Sequence, residues 1–184
     1  KMKAAGICGS DVGIYHGTNA AATYPRVIGH EMVGVVEETG ANVKHLKVGD
    51  RVIINQVVSC GHCYPCNHNR DNVCDNLQVR GVHIDGGYRE YMAVPEDDCY
   101  ILPQNLKDAD AVMIEPTTIA IQSLSRAELE DDDMLFIIGC GALGSSILRM
   151  ARLSKARIIS GDIVEDKLNQ AKMLGADYTI NLLD

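Results

Sequence analysis

The chain has 184 residues, 46% of them hydrophobic and 23% charged, and carries a formal net charge of −8. That is enough apolar material for one large domain or two small ones, and the acidic balance argues against a phosphate-backbone partner, so no nucleic acid is expected. No run approaches the roughly 18 apolar residues of a membrane span, and the opening KMKAAGICGSD lacks a signal-peptide core, so a cytoplasmic protein without a membrane is expected.

In chain order, the first two-thirds are rich in Gly, Val and turn signals. Short apolar runs, MVGVVEE (Met32–Glu38), RVIINQVV (Arg51–Val58) and EYMAVP (Glu90–Pro95), are punctuated by VGDR (Val48–Arg51) and DGG (Asp85–Gly87). Short strands with Gly-rich connections predict a β-rich lobe, with a barrel as one way to close it.

Within that lobe, Cys60, Cys63, Cys66 and Cys74 follow the spacing C-x2-C-x2-C-x7-C. A disulfide framework needs an oxidising compartment, which nothing here suggests. Ferredoxin-type iron–sulfur runs begin the same way but close after three residues with Cys-Pro; this one waits seven and ends in Cys74-Asp75. Four thiolates on a tight loop best suit a tetrahedral structural zinc, with the interleaved His62 and His68 not needed as ligands. A shell filled by sulfur holds a loop and admits no water.

From about residue 116 the texture changes, and the chain divides into an expected lobe over 1–115 and a second domain over 116–184. MLFII (Met134–Ile138) is an apolar run followed by GCGALG, and Ile147, Met150, Ala151 and Ser154 recur at helical spacing from Leu143. ARIIS (Ala156–Ser160) predicts a second buried strand. EDKLNQAKMLG (Glu165–Gly175) has the acidic start and glycine end of a helix, and YTINL (Tyr178–Leu182) begins a third strand. This is α/β with a parallel sheet, and only half of the usual doubly wound one. An opening at Lys1 almost on GICGSD and a stop at Asp184 after a βαβ unit predict a longer parent chain.

Gly139, Gly141 and Gly144 form G-x-G-x-x-G between a strand and a helix, where a tight turn, close approach to pyrophosphate and helix–strand packing each need a glycine. Asp162, at the end of the second strand, is placed to bind ribose hydroxyls. Ile163 and Val164 follow it with no Arg for a 2′-phosphate, so NAD is expected over NADP.

Three further pieces, GICGSD (Gly6–Asp11), GHE (Gly29–Glu31) and MIEPTT (Met113–Thr118), are individually bland: a lone Cys8 or His30 is more often core, and Glu115 a surface acid. Together they offer one thiolate, one imidazole and two carboxylates, a set that can hold zinc with one position open.

The order of AAGICGSD, YPRVIGHEMVGVV, VGDRV, the four-cysteine lobe, DGGYREY and GCGALG resembles the zinc-dependent medium-chain alcohol dehydrogenases. It is most similar to the polyol and sugar-acid branch of sorbitol-, threonine- and idonate-type enzymes, including the starvation-sensing subgroup. The resemblance covers the whole chain and implies a GroES-like catalytic domain followed by the first half of a Rossmann domain. It further implies two zincs per full chain, one catalytic and one structural, and assembly as a homodimer or homotetramer. By motif, Cys8, His30 and Glu31 match catalytic-zinc positions, Glu115 a carboxylate beside that metal, and Ser10 the hydroxyl that takes the substrate's proton. Lys167 matches a ribose contact, Leu143 the apolar residue behind the nicotinamide, and Thr118 a position near its ring. Relatives commonly carry a His five residues after the zinc Cys, where this chain has Gly13, with His16 nearby. The implied activity is hydride transfer from a secondary alcohol of a polyol or sugar acid to NAD. A threonine-3-dehydrogenase-like enzyme and a non-catalytic zinc- and dinucleotide-binding sensor are the alternatives.

Overall fold

The computed structural model describes residues 1–184, which form two compact units, Lys1–Met113 and Ile114–Asp184. No helix is long and apolar enough to cross a membrane. The division falls two residues before the expected 115/116 boundary, because Ile114 and Glu115 already belong to the first turn of a helix.

In the first unit, β1 (Met2–Ala5), β2 (Met32–Val35), β3 (Arg51–Ile54) and β6 (Cys99–Ile101) form an antiparallel sheet in the order β1-β2-β3-β6. The strands make this open sheet plus a separate ribbon of β4 (Val57–Val58) and β5 (Gln78–Val79), not one closed barrel. Short helices α1 (Gly9–Tyr15) and α2 (Asp108–Ala111) complete the unit. Met32, Val52 and Ile54 are buried together, and Met2, Val36, Leu46, Met92, Val94 and Cys99 close over them. Glu90–Pro95 forms no strand, contrary to expectation. Met92 and Val94 face the core as alternate residues of a strand would, but the segment's backbone is held to β1 through Glu90, whose carbonyl accepts the Met2 N–H at 2.8 Å. Directly after β5, the buried Arg80 guanidinium donates to Asp98 at 2.7 Å and to the Asn55 carbonyl at 3.4 Å, so its charge is paired where water is scarce.

One register fact positions the site. Ala5 pairs with Met32 across β1 and β2, so the chain leaving β1 and the chain entering β2 lie at the same end of the sheet. The Gly6 N–H extends the ladder by one bond to the Glu31 carbonyl, at 2.9 Å. Antiparallel pairing thereby brings Gly6–Cys8 alongside Gly29–Glu31, although more than twenty residues separate Cys8 from His30 in sequence.

The second unit is β7 (Met134–Ile138), β8 (Arg157–Asp162) and β9 (Tyr178–Asn181), parallel and in that order, with α3 (Ile114–Ala127), α4 (Ala142–Ala151) and α5 (Glu165–Met173). Phe136 pairs with Ile159, and Ile159 with Tyr178. Ile137, Leu148, Ala151, Ile158, Leu168 and Ala171 form the core. Met134, Phe136 and Ile138 alternate with the covered Leu135 and Ile137 and are exposed, Ile138 by 73%. Helix α5 ends as its sequence requires: Gly175 takes φ +102°, its N–H donates to the Lys172 carbonyl, and the Ala176 N–H donates to that of Ala171. Leu148 is 1% exposed at the centre of this core. Leu148→Ala is expected to cost about 2–5 kcal/mol, read as a lower urea midpoint with unchanged slope.

Candidate active site

Cys8 is the N-cap of α1, and the helix exists largely because of Asp11. GSDVGIY holds two glycines and little helix propensity, but the Asp11 carboxylate reaches back to accept the Cys8 N–H at 2.9 Å. Asp11 is 1% exposed, and all four of its lone-pair positions are engaged. Oδ2 accepts from the Cys8 N–H and from the Tyr88 hydroxyl at 3.1 Å; Oδ1 accepts from the Gly29 N–H at 3.2 Å and faces His30 Nδ1 at 3.2 Å. A proton held on Nδ1 leaves the other ring nitrogen of His30 bare as a donor to a metal.

The Sγ of Cys8, a ring nitrogen of His30 and a carboxylate oxygen of Glu31 lie within 4.8 Å of one another. His30 and Glu31 are buried and Cys8 half-buried. Burial holds the Glu31 carboxyl above its ordinary range, with Asp11 pushing the same way and His30 pulling against both. Gly6 makes the room: a Cβ there would sit 1.8 Å from Glu31 Oε2. One soft thiolate, one imidazole and one carboxylate fit a zinc ion, and three protein donors are the number that leaves a position open. Ser10 lies in the first turn of α1, two residues past Cys8, and is exposed.

The four cysteines converge at the tip of the β4–β5 ribbon, with Sγ atoms within 4.8 Å of one another. Cys63 Sγ is 3.3 Å from that of Cys66 and 3.8 Å from that of Cys74, and all four are free thiols. A disulfide needs about 2.05 Å, whereas the edge of a tetrahedron with Zn–S near 2.3 Å is about 3.8 Å. Backbone N–H groups of Cys60 and Asn76 donate to Cys74 Sγ at 3.2 and 3.3 Å, as they would to a thiolate. The His62 backbone N–H draws the Cys60 thiol down to about 6, while burial, with Cys63 adding to it, pushes Cys66 up to about 12. A divalent cation at their centre favours the thiolate at all four.

In the second unit, β7 runs into Gly139 at φ +95°, and Gly141 caps α4. A Cβ on Gly144 would lie 1.8 Å from the Gly139 carbonyl oxygen, so helix and turn pack backbone to backbone; one on Gly141 would meet nothing within 4 Å. This fits the division of labour expected of the three glycines. Asp162, at the end of β8, accepts the Cys140 N–H at 2.7 Å and the Val164 N–H at 3.0 Å. These two bonds hold its carboxyl below the usual carboxylate range, and nearby Lys167 adds to the effect. Leu143 is exposed on the first turn of α4. Glu115 and Thr118 occupy the first turns of α3, where the Thr118 hydroxyl donates to the Glu115 carbonyl at 2.7 Å.

Sequence reasoning assigned no role to Asp11 or Tyr88. The signal for Asp11 was present as an acid three residues after Cys8, the capping-box position; for Tyr88 there was none, since its aim depends on tertiary packing.

The Alcohol dehydrogenase GroES-like domain family matches residues 1–104. Starvation-sensing protein RspB of Escherichia coli K12 is 44% identical over 183 residues, 98% of this chain and 54% of that protein. A sorbitol dehydrogenase of Arabidopsis thaliana is 37% identical over 188 residues, 99% of this chain and 51% of its own. A crystal structure of an Escherichia coli CFT073 alcohol dehydrogenase complexed with NADH superposes with a TM-score of 0.93 at 43% identity, covering 99% of this chain and 54% of that one. The chain thus spans about half the length of the curated relatives it matches. With that match running over residues 1–104, more than half of its length, the chain belongs to the alcohol dehydrogenase GroES-like domain family.

Proposed function

We propose that the protein is a zinc- and NAD-dependent dehydrogenase that oxidises a secondary hydroxyl on a polyol or sugar acid. The observation that carries this reading is the convergence of Cys8, His30 and Glu31 around a space for one cation, with only three protein donors. Zinc held there supplies Lewis-acid polarisation of the substrate hydroxyl. Cys60, Cys63, Cys66 and Cys74 hold the structural ion.

Ser10, two residues beyond Cys8, accepts the substrate's hydroxyl proton and passes it outward. Gly13 stands where a second relay group would follow. Gly139, Gly141 and Gly144 admit the pyrophosphate to the N-terminus of α4, whose partial positive charge favours it. Asp162, oriented by its bonds from the Cys140 and Val164 N–H groups, binds the ribose hydroxyls. Lys167 adds a ribose contact, and Leu143 and Thr118 flank the nicotinamide. Ile163 and Val164 offer a 2′-phosphate no cation, which favours NAD over NADP. Residues 1–115 then serve as the catalytic domain and 116–184 as part of the cofactor domain, in a homodimer or homotetramer located in the cytoplasm.

The test is a panel of polyols, sugar acids and L-threonine with the full-length gene product, read by NADH absorbance. Turnover of a secondary polyol or sugar-acid alcohol with NAD is expected, and Cys8→Ser should lower kcat/KM by at least about 10³-fold, or about 4 kcal/mol of transition-state stabilisation. Full zinc loading without turnover of any alcohol would leave a binding protein instead.

A further inference from the structure

We propose that Tyr88 is the positioning residue of the Cys8–His30–Glu31 centre, acting through Asp11. The proposal rests on the reading of those three residues as zinc ligands. Asp11 is the only side chain bonded to both arms of the cluster: Oδ2 grips the Cys8 backbone and Oδ1 faces the His30 ring. The β1–β2 register brings Cys8 and His30 together, and whatever fixes the plane of that carboxylate then sets how the two are oriented to each other.

Two independent contacts give Tyr88 that task. Its hydroxyl lies 3.1 Å from Asp11 Oδ2 and 2.7 Å from the Gly6 carbonyl, so one phenolic proton is shared between the two acceptors that border Cys8 and Glu31. Its ring covers Gly29, where an added Cβ would sit 2.3 Å from ring carbon Cδ1. Gly29, at φ +97°, leads directly into His30. The segment that carries Tyr88 is itself docked along the segment that carries His30. Val27 donates its N–H to Asp85, Gly86 and Gly87 donate theirs to the carbonyls of Val27 and Gly29, and Tyr88 donates its own to that of Ile28. Glycines are required for this approach, since a Cβ on Gly86 would lie 2.1 Å from the Gly29 oxygen. The DGGY segment, which reads from sequence as a turn, is a clamp on the backbone that presents His30 and Glu31.

The clamp and the hydroxyl have separable effects. Tyr88→Phe keeps the ring on Gly29 and removes only the O–H, leaving Asp11 Oδ2 held by the Cys8 N–H alone. Groups that orient a metal ligand from behind are worth about 10–100-fold in metal affinity. Tyr88 is one bond further out, so about 10-fold weaker zinc at this centre is expected.

The experiment is chelator competition on zinc-loaded protein, comparing wild type, Tyr88→Phe, Asp11→Asn and the double variant. Cobalt(II) absorption bands are recorded for each as a report of coordination geometry. Zinc retained by the four-cysteine lobe serves as the folding control in every variant. The proposal predicts about 10-fold weaker zinc and altered cobalt bands in Tyr88→Phe, and no further loss when Tyr88→Phe is added to Asp11→Asn. Wild-type affinity and unchanged bands in Tyr88→Phe would overturn it, as would an equal loss in the Asp11→Asn background, because the hydroxyl would then not act through Asp11. A wild-type protein that binds zinc only in the four-cysteine lobe would overturn the ligand reading of Cys8, His30 and Glu31, and this proposal with it.

Discussion

Cys63→Ser is expected to remove one zinc per chain and to lower the thermal midpoint by roughly 10 °C or more. Cys63 belongs to the four-thiol cluster, with its Sγ 3.3 Å from that of Cys66 and 3.8 Å from that of Cys74. Apart from the thiols, the loop from Cys60 to Cys74 is held by short-range hydrogen bonds such as Asn67 N–H to the Cys63 carbonyl at 3.0 Å and Arg70 N–H to that of Pro65 at 2.9 Å. It contains two single-turn 3-10 helices, at Cys66–His68 and Asp71–Val73, and of its four cysteines only Cys74 is buried. Structural zinc contributes about 10–16 kcal/mol in isolated zinc-dependent peptides. Loss of even about 4 kcal/mol shifts the midpoint of a domain this size by roughly 10 °C. Elemental analysis with differential scanning calorimetry reads both quantities. An unchanged zinc count in Cys63→Ser would show that the lobe is held by its hydrogen bonds and not by metal.

The second large effect separates two glycines that the motif treats alike. Gly144→Val places carbon on the Gly139 carbonyl oxygen, a backbone atom that cannot rotate away. Helix α4 must then lift from β7, with an expected cost of about 3 kcal/mol or more and loss of measurable NADH binding. Gly141→Ala is different, because its Cβ has open space around it in the protein alone. Stability should stay within about 0.5 kcal/mol of wild type, while the proposed dinucleotide site predicts NADH affinity at least about 10-fold lower, since the new methyl would occupy space that the proposal gives to the pyrophosphate. Urea unfolding and NADH fluorescence titration of the full-length protein distinguish the two. Equal NADH affinity in Gly141→Ala and wild type would place the dinucleotide elsewhere.

What the sequence disclosed follows from how local each signal is. Strand β7, helices α4 and α5 and the stop at Gly175 were legible because an apolar run, a 3.6-residue period and a glycine cap each act within a few residues. Helix α3 was hidden by Pro116, which ordinarily breaks a helix but is tolerated here because it lies in the first turn, where its missing N–H has no partner to lose. Helix α1 was hidden by its glycines and is fixed by the cap from Asp11. The strand expected at Glu90–Pro95 failed for the opposite reason: alternation reports which side chains face inward, not whether a neighbouring backbone offers a full ladder.

The site divides the same way. The spacing of Cys60, Cys63, Cys66 and Cys74 pointed to a metal because all four ligands share one loop. Cys8 and His30 could be joined from sequence only through family resemblance, since their meeting depends on the Ala5–Met32 register. The web of Asp11, Gly29, His30 and Tyr88 was invisible, because hydrogen-bond partners 18 to 77 residues apart leave no periodic trace.

The most direct test of the account is the zinc content of wild type and of Cys8→Ser, Cys63→Ser and the double variant. Two ions per chain are expected in wild type, one in each single variant and none in the double, with the ion lost from Cys8→Ser being the one a mild chelator removes first. A single ion in wild type that survives Cys8→Ser would contradict it, because the cluster of Cys8, His30 and Glu31 would then hold no metal and could not act on an alcohol.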